Sequence, residues 1–266
     1  MSRKLNIREA AKKLNPIDDL MFRKMAEDKN FCEEILRVIL SDPCLTVLSC
    51  TPQYDVTNLQ GRSVILDARC VLSSGKQVNV EVQKSDDDDH QKRMRYHGAV
   101  LTANLMNPGE KFEHVPDVCA VFISRFDLFE AGHAAYHIDR IVRETGEQAD
   151  NGFEEIYVNA AVKDGSDISK LMEVFTQDHA YSEQFPVTSA IKRRLKETEE
   201  GEKIMSGLIE KIRLEGQEEG IENVNMLNAK LLKEGRITDL ERSATDRVYQ
   251  TRLMKEYFPE FFCEKH

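Results

Sequence analysis

No run of about 18 apolar residues occurs in the 266-residue sequence, so no segment is expected to cross a membrane as a helix. The opening stretch, MSRKLNIREAAKKLN, is basic but lacks the apolar core of a secretory leader, and a cytoplasmic protein is the expectation. Cysteine is sparse and unpatterned. Cys32, Cys44, Cys50, Cys70, Cys119 and Cys263 contain no CxxC pair, which argues against structural zinc. They read as reduced core or bystander thiols, four of them in apolar segments where a thiol packs as a small hydrophobe. Excess positive charge is missing too: 37 Lys and Arg stand against 47 Asp and Glu, a net charge of −10. That is the wrong sign for coating a phosphate backbone, though an acidic centre neutralised by bound cations remains compatible with nucleic-acid chemistry through local basic patches.

With 41% hydrophobic and 32% charged residues the chain is expected to be globular, and it is long enough to bury a core as one large domain or a domain with an appendage. Residues 64–83, VILDARCVLSSGKQVNVEVQ, hold two alternating stretches. Val64, Leu66, Ala68 and Cys70 fall on one face of the first, and Val78, Val80 and Val82 on one face of the second, so both are expected strands. Ser73-Ser74-Gly75 suits a three-residue hairpin loop ending in a left-handed residue. If Leu72 pairs with Lys76 across it, Asp67 comes to lie directly opposite Glu81. Opposed strand residues have Cβ atoms about 5 Å apart, and two carboxylates that close repel unless a cation lies between them. Gln83 points to the same side as Glu81. Two hard oxygen donors in this arrangement suit Mg²⁺ or Mn²⁺ rather than zinc.

An Asp followed, after a turn, by acid-x-Lys or acid-x-Gln on the next strand is the core of the PD-(D/E)XK nuclease superfamily. Here it is Asp67 with Glu81-Val82-Gln83. With Asp19-Leu20-Met21-Phe22-Arg23-Lys24, Arg93-x-x-Tyr96 and the apolar residues 118–123, the first two thirds of the chain resembles the Rpn group of recombination-promoting nucleases and PD-(D/E)XK family transposases. The resemblance implies an α/β fold with a restriction-endonuclease-like core, a mixed sheet flanked by helices. It implies a Mg²⁺- or Mn²⁺-dependent endonuclease that hydrolyses phosphodiesters of double-stranded DNA and is linked to recombination or mobile elements. Asp67, Glu81 and a carbonyl such as that of Val82 would hold the ion. Asp19 would be an acidic group facing the site or simply a helix cap. Arg93 would clamp a phosphate or carboxylate and Tyr96 would position it, or the two would form a surface ion pair and a half-buried phenol. Gln83 departs from the superfamily lysine and offers only oriented hydrogen bonds, which leaves open a second class of function: a nuclease fold kept without catalysis as a DNA-binding or assembly module.

Elsewhere the pattern predicts one helix from Asp19 to about Leu40, stopped by Asp42-Pro43, and a strand over residues 45–54. The aspartates 86–89 read as a solvated run leading into a helix over residues 90–106. Residues 118–123 suit a buried central strand, residues 136–142 and 155–162 a strand pair, and Ser166 the start of a helix. His133 and His137 are four apart but lie in a strand-like pattern with no third ligand, so they read as structural. The nuclease-like domain is expected over residues 1–185, with a helical extension over 186–266. In that extension Lys192-Arg193-Arg194-Leu195-Lys196 reads as a solvated helix face rather than a DNA patch, and the later apolar stripes suit either self-association or packing back on the core.

Overall fold

Gly75, at φ +89°, turns the chain where residues with a Cβ are strained, and Leu72 N donates to Lys76 O at 2.9 Å across the loop. The register set by that turn is observed: Val71 pairs with Gln77, Cys70 with Val78, Arg69 with Asn79 and Ala68 with Val80. The structure, a computed structural model, describes residues 2–58 and 61–262; Cys263 lies outside them.

In chain order the elements are α1 (Ser2–Lys13), α2 (Asp19–Ala26), α3 (Lys29–Ile39), β1 (Val47–Val56), β2 (Val64–Leu72), β3 (Gln77–Gln83), α4 (His90–Ala103), β4 (Val118–Ser124), β5 (Ala135–Ile138), β6 (Phe153–Asn159), α5 (Asp167–Thr176), α6 (Pro186–Glu197), α7 (Glu199–Lys233), α8 (Ile237–Thr245) and α9 (Arg247–Tyr257). The expected single helix over 19–40 is two. Asp28 takes an extended conformation between them and accepts from Asn30 N at 3.0 Å, so a capping carboxylate restarts the helix in mid-pattern. Asp89 caps α4 in the same way, accepting from Lys92 N, and Ser166 caps α5, both where the sequence places helix starts.

The six strands form one sheet in the order β1-β2-β3-β4-β6-β5. Pairing is antiparallel at β1–β2, β2–β3 and β5–β6, and parallel at β3–β4 and β4–β6. All seven residues of β4 are buried, as a central parallel strand covered on both faces requires. On one face Met94 of α4 packs with Ala120, Phe122 and Tyr157. At the other side of the hairpin α3 packs on β1 and on α5 and α6, with Phe22, Phe31 and Phe175 in ring contact.

Contacts divide the chain into two compact units, the first ending at Met205 and the second beginning at Ser206, whereas the composition shifts near residue 186. Helix α6 belongs to the first unit for a specific reason. Glu34 of α3 accepts from Val187 N and Thr188 N at 3.0 and 2.7 Å, which places a carboxylate on the free amides of the α6 N-terminus. The basic run in α6 is only in part the solvated face expected of it: Arg193 and Arg194 are exposed, but the two lysines turn inward. Lys192 is fully buried and its ammonium donates to the carbonyls of Val174, Gln177 and Ala180, closing the last turn of α5. Burial, with the charge of Lys196 adding, pulls its pKa down to about 8. Lys196 donates to Leu14 O and Asn15 Oδ1, and Arg193 lies over the Tyr181 ring. In the second unit Leu227, Leu231 and Leu253 form a buried cluster edged by Leu240, Tyr249 and Phe258. Among the described residues no helix is long and apolar enough to cross a membrane.

Gly201, near the start of α7, gives a direct check on the packing in the first unit. A Cβ there would meet Arg194 O at 2.1 Å and Leu195 Cα at 2.6 Å, backbone atoms that cannot swing aside. Gly201→Ala is expected to destabilise the protein by about 1–3 kcal/mol. Gly207→Ala, where a Cβ meets nothing within 4 Å, should stabilise the helix by about 0.5–1 kcal/mol. Urea unfolding of the two variants checks the contrast, and equal effects would refute it.

Candidate active site

The β2–β3 ladder stops at Ala68 and Val80, and the next residues along it are Asp67 and Glu81. In place of a further ladder bond, Val82 N donates to Asp67 Oδ2 at 3.0 Å. On the β1 side Gln53, between the pairs Pro52–Ala68 and Tyr54–Leu66, has φ +47°, a conformation uncommon for residues with a Cβ. The strand therefore changes its allegiance at Asp67. Cys70 meets Cys32 of α3, while Val64 and Leu66 pack with Val100 and Leu101 of α4. The expectation that Val64, Leu66, Ala68 and Cys70 share one environment fails here, because a distortion at the acid divides them between two layers.

Glu81 pairs in parallel register with Phe122, whose ring packs with Met94 of α4, so Glu81 faces α4. His97 of that helix confirms it: its Nδ1 lies 3.2 Å from Glu81 Oε1, which also accepts from Asn79 Nδ2 at 3.0 Å. Asp67 is 6% and Glu81 2% exposed. Asp19, in the first turn of α2, joins them through Arg23 one turn later. The Arg23 guanidinium pairs with Asp19 and reaches Asp67 Oδ1 at 3.1 Å. Burial pushes the Asp67 carboxyl well above the ordinary range, and the charges of Glu81 and then Asp19 push it further, against the Val82 N–H and Arg23. Asp19 is raised too, again first by burial, with Arg23 opposing. Three like charges, Asp67 and Glu81 buried and Asp19 half-exposed, with one shared guanidinium are short of positive charge, which is the electrostatic condition for holding a cation.

The donors fit a hard divalent ion. Asp67 and Glu81 contribute carboxylate oxygens, and the Val82 carbonyl lies on the same strand edge as the Val82 N–H that meets Asp67, since a residue's N–H and C=O point the same way along a ladder. Among the described residues, Asp19, Asp67 and Glu81 do not bring three oxygens within 4.8 Å of one another; Arg23 lies between Asp19 and Asp67, and Asn79 and His97 hold Glu81.

The other expected site residues lie around this group rather than in it. Gln83 directs its amide to Ser85 O at 3.0 Å and Asp87 Oδ1 at 3.3 Å, closing the loop after β3. Lys84 pairs with Asp18 at 2.5 Å. Asp18 does not cap α2 with its side chain; its Oδ2 accepts from Asn15 N instead. Arg93 is half-buried with its Nε unpartnered, and it lies one helical turn before His97 on the same side of α4. Tyr96 does not face the acids. Its hydroxyl donates to Arg62 O at 2.6 Å and accepts from Asn58 Nδ2 at 3.2 Å. His137 is exposed on the short β5, away from any ligand set among the described residues. Arg23, Asn79 and His97 were missed by the sequence reading. Two of them carried a signal, since Arg23 is four residues from Asp19 and Asn79 two from Glu81, spacings that share a face on a helix and a strand.

A mixed sheet with a parallel centre, covered by helices and carrying two buried acids at the end of an antiparallel hairpin, defines a nuclease-like fold of the PD-(D/E)XK class. A family model described as PD-(D/E)XK nuclease family transposase matches residues 16–166, more than half of the chain, and the protein belongs to that family. No curated protein and no solved structure matches it.

The raised Asp67 carboxyl has a signed consequence for stability. Its folded-state pKa lies above the ordinary 3.8, so the stability it contributes is fully present below that value and is lost as pH rises through the folded value. In EDTA, Tm is expected to fall as pH rises above about 4 and through the raised folded-state value. Glu81→Gln, which removes the larger repelling charge, should flatten that fall. An unchanged pH profile in the variant would rule out the repulsion.

Proposed function

We propose that this protein is a Mg²⁺- or Mn²⁺-dependent endonuclease that hydrolyses phosphodiester bonds of double-stranded DNA, acts in the cytoplasm, and serves recombination or mobile-element movement as the Rpn group does. The observation that carries the proposal is the pair of buried acids at the end of the β2–β3 ladder, held together against their repulsion. Asp67, Glu81 and the Val82 carbonyl would hold the ion, which when bound supplies a water of lowered pKa and stabilises charge on the phosphate. The chain's own groups do the rest. His97 and Asn79 fix the orientation of Glu81, Arg23 holds Asp19 and Asp67 in place, and Gln83 can orient a water by hydrogen bonds without supplying charge. Arg93, with a free Nε beside this face of α4, is the group suited to a phosphate oxygen; Tyr96 acts at one remove by fixing the loop at residues 58 and 62.

The Arg23 guanidinium favors one rival. A cation already shared by Asp19 and Asp67 lets the fold persist without metal, as a DNA-binding or assembly module. Plasmid nicking in Mg²⁺ or Mn²⁺ beside an EDTA control separates the two. Cleavage is expected to drop by at least about 10²-fold in Asp67→Ala and Glu81→Ala, and by about 10- to 100-fold in His97→Ala through loss of ligand orientation. Robust cleavage by both acid variants would sink the nuclease assignment. Calorimetry showing no Mn²⁺ binding to the wild type would favor the module.

For the helices after the first unit we propose self-association. Ile212, Ile221, Met226 and Leu232 on α7 are exposed, more apolar surface than one solvated helix needs. Light scattering is expected to give a mass above that of one chain, and Ile221→Glu should lower it; a monomer at micromolar concentration would end this reading.

A further inference from the structure

Three cysteines that are far apart in the sequence meet in the first unit. Cys32 lies on α3, Cys50 on β1 and Cys70 on β2, and their sulfurs all lie within 4.8 Å of one another. Cys32 Sγ is 3.1 Å and Cys70 Sγ 3.4 Å from Cys50 Sγ. Cys50 and Cys70 are directly paired across the β1–β2 ladder, and α3 packs on β1, so regular secondary structure brings the three together. All are free thiols; Cys32 and Cys70 are fully buried and Cys50 is half-buried. Cys32 and Cys70 are core thiols as expected, but the lack of CxxC does not keep the three apart, because the ladder and the helix supply the proximity that sequence spacing does not.

The donor set is soft. Among the described residues no carboxylate or imidazole joins this group, in contrast to the hard oxygens of Asp67 and Glu81, and thiolates select thiophilic ions over Mg²⁺. Zinc–sulfur bonds of about 2.3 Å at tetrahedral angles place sulfurs about 3.8 Å apart. The separations from Cys50, 3.1 and 3.4 Å, are shorter than that value by less than an ångström, so small side-chain rotations would open the sulfurs around an ion without moving the backbone. The partial exposure of Cys50 leaves one side open for a fourth ligand such as water. Two thiolates and a thiol with Zn²⁺ would be neutral and three thiolates would carry a single negative charge, both tolerable in a largely buried site where an uncompensated divalent ion would not be.

We infer that Cys32, Cys50 and Cys70 form a three-sulfur site for Zn²⁺ that ties α3 to the β1–β2 pair. The site stands independently of the proposed nuclease chemistry, although Cys70 is on the same strand as Asp67.

The test is metal analysis of the full chain, purified with a reductant that does not chelate and without EDTA. About one equivalent of zinc per chain is expected, released as a mercurial titrates the thiols. A Co²⁺ titration should give the sulfur-to-metal charge-transfer absorption of a thiolate site. Cys50→Ser and Cys32→Ser should each weaken Zn²⁺ binding by at least about 10-fold, while exposed Cys44→Ser leaves it unchanged. The double variant Asp67→Ala, Glu81→Ala should keep its zinc, which separates this site from the acidic one. Should a cysteine variant fail to fold, the wild-type cobalt spectrum decides. Absence of both zinc and the cobalt charge-transfer band, zinc retained in Cys50→Ser, or a disulfide joining two of the three cysteines in the reduced preparation would overturn the inference.

Discussion

A carboxylate standing in for a strand partner is the interaction on which this architecture turns. Where β2 and β3 part, the Val82 amide would lose its acceptor, and Asp67 Oδ2 takes it. A buried amide without a partner would cost about 1–3 kcal/mol, so the bond is a structural need as well as the means of fixing the acid. It also exposes the problem that the neighbouring elements answer. One buried carboxylate beside another demands compensation, and α2 supplies Arg23 to Asp67 while α4 supplies His97 to Glu81. Each helix thus brings one hydrogen-bonding group to one acid.

That demand explains why the helices are placed so firmly. Arg23 can reach Asp67 only if α2 is held, and Ile17 N donates to Phe175 O while Phe22, Phe31 and Phe175 interlock beneath it. Such ring contacts add about 0.5–1.5 kcal/mol each beyond their burial. On the opposite face Phe122, Met94 and Tyr157 fix α4. The two buried acids sit between two apolar layers, and that burial raises the Asp67 carboxyl and would strengthen the hold of the pair on a cation.

How much of this could be read from residues alone depended on whether the cause was local. The hairpin register follows from one glycine and a three-residue loop, and so the pairing up to Ala68 and Val80, which brings Asp67 and Glu81 to the same end of the hairpin, was legible. The capped starts of α4 and α5 were legible for the same reason. The break between α2 and α3 was not, because the apolar stripe continues through it and only the Asp28 cap interrupts the chain. Lys192 has the look of any surface lysine in a basic run; what buries it is the end of α5, a partner distant in sequence. The cysteine cluster was invisible for a like reason, since sheet pairing and helix docking set its geometry and no interval in the sequence encodes them. Tyr96 shares a helix with His97 but points to another face, a difference of one residue that a motif does not resolve.

The clamp made by Lys192 also bears on how this fold can be cut or shuffled. Residues 16–166 carry the family likeness, yet α5 packs against α3, and α6 contributes the ammonium that closes α5 and the backbone amides that neutralise Glu34. A gene fragment trimmed to the recognisable stretch would lose Phe175 and leave Phe22, Phe31 and the half-buried Glu34 without their cover. Any natural or engineered joint that moves this module between proteins should therefore fall beyond α6, well downstream of where the likeness ends.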